Sequence, residues 1–75
     1  MNHNGVKEEL LATDDEFRRL HQEHQSSEGE LEALLNKQFL SQFDQSEVKR
    51  IKVHKLALKD RMETLIREHA ARVPA

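Results

Sequence analysis

Two stretches of this chain place their inward-facing positions at alternating steps of three and four, and that spacing restricts the fold more than any other feature. The first runs Phe17, Leu20, His24, Ser27, Leu31, Leu34; the second runs Val48, Ile51, Lys55, Leu58, Met62, Leu65, His69. Residues three and four apart share one face of a helix, so each stretch predicts a long helix with a heptad seam that must be covered. Leu35 widens the first seam, and Leu56 and Ile66 widen the second. Gly29 lies off the seam, where it weakens the helix without stopping it.

The punctuation agrees with that reading. Thr13-Asp14-Asp15-Glu16 has the pattern of a capping box, with the Thr13 hydroxyl and the Glu16 carboxylate each satisfying a backbone N–H of the other. Ser41 with Asp44 at the third helical position predicts the start of the next helix. Pro74 ends any continuation. The expected boundaries are a helix over 14–36, a turn over 37–41 and a helix over 42–72. Residues 1–5 are polar and expected to fray, while Val6, Leu10 and Leu11 predict a short helix over 6–12. A connection of about five residues between long helices makes them antiparallel neighbours. With the turn near Phe39, Leu31 faces Val48, His24 faces Lys55, Leu20 faces Leu58 and Phe17 faces Met62. The longer second helix then overhangs from Leu65 to His69 unless Leu10 and Leu11 cover it. The expectation is one all-α domain, 1–75: an antiparallel, coiled-coil-like two-helix hairpin with a short N-terminal helical segment.

Composition narrows the function. The 75 residues include no Cys, Trp or Tyr, and 35% are charged. Disulfides and thiolate zinc sites are thereby excluded, and a second subunit is the stabiliser that remains for so small a core. No apolar run approaches the ~20 residues that span a bilayer. A cytoplasmic protein without a membrane contact is expected. Residues 1–47 carry four Lys/Arg and eleven Asp/Glu, whereas 48–75 carry eight and three. An acidic arm beside a basic one favours the hairpin, and two basic second helices would repel if paired directly.

Several residue groups could carry chemistry. His24 opposite Lys55 forms a polar layer in the seam, which fixes register or lets Lys55 reach outward along its stem. His21, His24, His54, Glu23 and Glu28 are candidate metal ligands by residue type, but the Glu-x-x-His pattern of carboxylate bundles is absent, and neither a metal nor another cofactor is expected. No nucleophile–base set and no phosphate-cradling glycine loop occur, and a two-helix hairpin is expected to lack a ligand-sized cavity. Neither catalysis nor a small-molecule substrate is therefore expected. The basic run Lys49, Arg50, Lys52, Lys59 and Arg61 could meet a phosphate backbone, although no aromatic is interleaved for base stacking. Leu35, Phe39, Leu40, Phe43, Val53 and Leu56 exceed what one seam can bury. They are the candidate interaction surface, for a second copy or for a partner helix. Either the tip Phe39 and Phe43 fold back over Leu35 and Val48, or they dock on another molecule.

The segment DDEFRRLHQEHQSSEGELEALL, followed by LSQFDQSEVKRIKVHKLALKDRMETLI, resembles the YdcH-like family of small bacterial proteins, a domain of unknown function. The likeness rests on the spacing of Phe17, Leu20 and His24 and on the run Lys55-Leu56-Ala57-Leu58-Lys59-Asp60. It covers roughly residues 13 to 68. Ser27 departs from the family's apolar tendency, and Val53 and His54 from its charged one. The resemblance implies a helical hairpin and no established activity. The functional expectation is a non-catalytic, self-associating interaction module, with a nucleic-acid-associated protein as the alternative.

Overall fold

The structure is a computed structural model that describes residues 3–72. It contains three helices and, among the described residues, no strand: α1 (His3–Thr13), α2 (Asp15–Leu35) and α3 (Gln42–Arg72). The first helix starts earlier than expected, because His3–Gly5 are already helical; residues 1 and 2 of the stretch expected to fray lie outside the described residues. Pro74, expected to end α3, also lies outside them.

The α1–α2 junction corrects the expected capping box. Thr13 closes α1 instead of capping α2, and its hydroxyl donates to the carbonyl of Glu9 at 2.8 Å. Asp14 alone leaves the helical conformation (φ −114°, ψ 111°), and its carboxylate accepts from the Phe17 N–H at 3.0 Å. A carboxylate is the stronger acceptor for an orphan N–H at the positive end of a helix, so it takes the cap while the threonine bonds back within its own turn. One non-helical residue thus bends the chain between two helices.

The second start follows the Ser41–Asp44 pattern. The Asp44 N–H donates to Ser41 Oγ at 3.0 Å, and the Ser41 N–H donates to Asp44 Oδ2 at 3.2 Å. Lys37 Nζ reaches Asp44 Oδ1 at 3.1 Å across the turn. The Lys37 ammonium and then the Ser41 N–H hold the Asp44 carboxyl below its ordinary range.

Helices α2 and α3 run side by side in opposite senses. Glu16 pairs with Arg61 at 2.9 Å and Glu23 with His54 at 2.9 Å, so positions rise along α2 as they fall along α3; Glu28 also reaches Lys55 at 3.4 Å. These links join the acidic arm to the basic one. The apolar core sits at the end remote from the turn. Leu10, Phe17, Leu65 and Ile66 form its buried centre, with Val6, Leu11, Leu20 and Met62 packed against it. Phe17 is fully buried. Helix α1 therefore lies over the overhang of α3, and Glu9 Oε2 approaches His69 Nε2 at 3.2 Å without hydrogen-bond geometry. Toward the turn the packing thins to Ile51, Leu58 and the buried Ser27. The molecule measures 51 × 21 × 16 Å.

Candidate interaction surface

Among the described residues, five large apolar side chains face solvent: Leu35 at 53%, Phe39 at 84%, Phe43 at 73%, Val53 at 69% and Leu56 at 60% of full exposure. All five belong to the expected surplus set, and the sixth member, Leu40, is half-buried. They occupy two places. Leu35, Phe39 and Phe43 stand around the turn that joins α2 to α3. Val53 and Leu56 lie three residues apart on α3, on the side away from the buried Ile51 and Leu58.

The tip does not fold back. At these exposures neither Phe39 nor Phe43 is covered by Leu35 or Val48, so a local cap does not satisfy them. The Ser41–Asp44 box and the Lys37–Asp44 pair fix the turn backbone beneath both rings.

The basic run is partly used within the chain. Arg50 bonds Glu47 at 2.8 Å, and Arg61 bonds Glu16 through two nitrogens at 2.9 and 3.2 Å. The Glu47 and Glu16 carboxylates raise the affinity of these guanidinium groups for their protons. Lys49, Lys52 and Lys59 make no ion pair among the described residues. The five cations thus divide into two partnered arginines and three free lysines.

His24 and Lys55 line one open groove of about 780 Å³, walled by α1, α2 and α3. A groove of that size corrects the expectation that such a hairpin lacks a concavity. It arises because α1 adds a third wall, through Lys7, beside His21 and His24 of α2 and Lys55, Leu56 and Lys59 of α3. Lys55 turns toward the Glu28 carboxylate instead of pointing into open water. Ser27 is the buried polar residue of the seam, ahead of His24, which is only half-buried. Among the described residues, no group of three or more His, Asp or Glu side chains is arranged to hold a metal ion. Glu23 and His54, two of the candidate ligands, pair with each other instead.

Two exposed carboxylates, Asp60 and Glu63, lie on the same side of α3 as Val53 and Leu56. They continue the spacing of Lys49, Val53 and Leu56 by further steps of four and three, a signal visible in the sequence but hidden by the stronger seam beside it.

No curated protein and no solved structure matches the chain significantly. No helix among the described residues is long and apolar enough to cross a membrane. Residues 17–66, which hold both halves of the exposed apolar set, match the family described as "Protein of unknown function (DUF465)". The YdcH-like resemblance is consistent with that match, and the chain belongs to this family.

Proposed function

We propose that this chain is a small, non-catalytic helical interaction module that associates with itself. The observation that carries the reading is the exposure of Leu35, Phe39, Phe43, Val53 and Leu56 at 53% or more. Scattered exposed leucines are ordinary, but two phenylalanines on a fixed turn and an aliphatic pair on a helix back form patches. Aromatic side chains supply large contact area at low entropic cost. A core concentrated at one end of a 75-residue chain also leaves stability to be gained from a second copy. His24 and Lys55 serve register within each copy, and a cytoplasmic setting fits the cysteine-free composition.

Light scattering across a concentration series tests this reading. The expected outcome is a mass that rises with concentration to a multiple of 8.8 kDa. Cooperative melting of a strict monomer at several hundred micromolar would contradict it. The alternative, a nucleic-acid-associated protein, rests on Lys49, Lys52 and Lys59. It requires duplex DNA or RNA binding that weakens steeply with salt. The partnered Arg50 and Arg61 count against it, because each must give up an existing carboxylate.

A further inference from the structure

The outward face of α3 carries Lys49, Val53, Leu56, Asp60 and Glu63 at steps of four, three, four and three. This is a second heptad stripe on the side of the helix opposite Ile51 and Leu58. All five residues are exposed, and Leu56 and Glu63 also border the open groove. The hairpin uses other charges for its own pairing: His54, Lys55 and Arg61 engage α2, and Arg50 engages Glu47. Among the described residues, Lys49, Lys52, Asp60 and Glu63 have no ion-pair partner.

The order of charge along the stripe selects its occupant. One cation, Lys49, lies before the aliphatic pair, and two carboxylates, Asp60 and Glu63, lie after it. A parallel second copy would set Lys49 against Lys49 and Asp60 against Asp60. An antiparallel copy inverts the order and sets unlike charges together. It also satisfies the pairing of an antiparallel heptad seam, in which each position meets the complementary one of its neighbour. A surface of this kind is self-complementary, since residue i meets j while j meets i.

We propose that two copies pair antiparallel along this face, with Val53 of each packed on Leu56 of the other and Lys49 of each beside Asp60 of the other. The proposal rests on the self-association reading and names its surface. Four aliphatic side chains form the centre, and two reciprocal ion pairs flank it. The contact from Lys49 to Asp60 spans about 16 Å of helix. Lys52 approaches Lys59 of the second copy at the rim, where water screens the repulsion and Asp60 and Glu63 stand close by. The antiparallel order offsets part of the repulsion expected between two directly paired basic second helices, at Lys49 and Asp60, and leaves the part at Lys52 and Lys59.

Charge reversal tests the pairing in the full chain. Lys49→Asp sets two carboxylates together at both ends of the contact, and Asp60→Lys sets two ammonium groups together there. Each variant is expected to weaken the dimer about tenfold or more, a loss of about 1.4 kcal/mol or more per mole of dimer. The double variant Lys49→Asp with Asp60→Lys restores the opposition and is expected to return the dissociation constant to within about threefold of wild type. Sedimentation equilibrium reads the constants, and far-UV melting checks that each variant folds. A wild-type dimer indifferent to both reversals, yet lost in Phe39→Ser with Phe43→Ser, would overturn this pairing and leave the self-association reading standing. A wild-type monomer at several hundred micromolar would overturn both.

Discussion

The two ends of this molecule are built from similar residues and finish in opposite states. At one end, Phe17, Leu10, Leu65 and Ile66 are buried together. At the other, Leu35, Phe39 and Phe43 are exposed. Hydrophobicity does not separate them; the presence of a third helix does. Two helices in contact cover one stripe on each, and a residue off that stripe needs a third body. Helix α1 supplies it beside Leu65 and Ile66. No described element supplies it beside Phe39. The comparison teaches that α1 completes a core, whereas the tip remains as surface.

Substitutions can break this contrast, and the largest effect belongs to Phe17. Phe17→Ala removes a fully buried ring from the meeting point of three helices, at a cost of about 3–5 kcal/mol. A loss of that size is a large share of the stability of so small a domain, so far-UV melting at room temperature should show a population already unfolded. Leu10→Ala tests α1 separately. It should cost about 2–3 kcal/mol, because the cavity lies under a terminal helix that can partly collapse onto it. If Leu10→Ala left the melting temperature unchanged, α1 would contribute no core and the contrast between the ends would fail.

Asp14→Ala is expected to cost about 1 kcal/mol, read as a lower melting temperature by about 4–8 °C. Thr13→Ala should cost less, because that hydroxyl bonds back to Glu9 and caps nothing. The reverse ranking would reinstate Thr13 as the cap.

Acid sharpens the comparison at the tip. Asp44 and Glu47 have carboxyls held below their ordinary values of 3.8 and 4.5, chiefly by Lys37 and Arg50 respectively. A folded value below the unfolded one stabilises the fold fully above the ordinary range, and that contribution is lost as the pH falls through the lowered values. Thermal melts taken from about pH 6 downward should therefore show a decline beginning near pH 4.5. Asp44→Asn should make the decline shallower. The smallest effect on folding belongs to the exposed rings. Phe39→Ser with Phe43→Ser should change the stability of the isolated chain by no more than about 0.5 kcal/mol. Any larger loss would mean that the tip supports the fold.

Much of this architecture could be read from the chain. The two seams set α2 and α3, since a period near 3.5 has no other economical arrangement. Ser41 and Asp44 marked the start of α3, because a cap is a contact between residues three apart. The junction was harder: Thr13 and Asp14 are both good caps by residue type, and the sequence does not say which leaves the helix. The exposed set Leu35, Phe39, Phe43, Val53 and Leu56 was legible as a surplus over one seam. The groove beside His24 and Lys55 was not, because its third wall comes from α1.

The sequence by itself determined the helices, the antiparallel preference and the division of charge between the arms. Each depends on local spacing or on composition. The tertiary structure decided which apolar residues outside the seams became core. Leu10 and Leu56 are both leucines on helices, yet Leu10 is 4% exposed and Leu56 is 60% exposed. Burial depends on what approaches from elsewhere in the chain. Helix α1 bends at Asp14 onto Leu65 and Ile66, and none of the described elements reaches the back of α3.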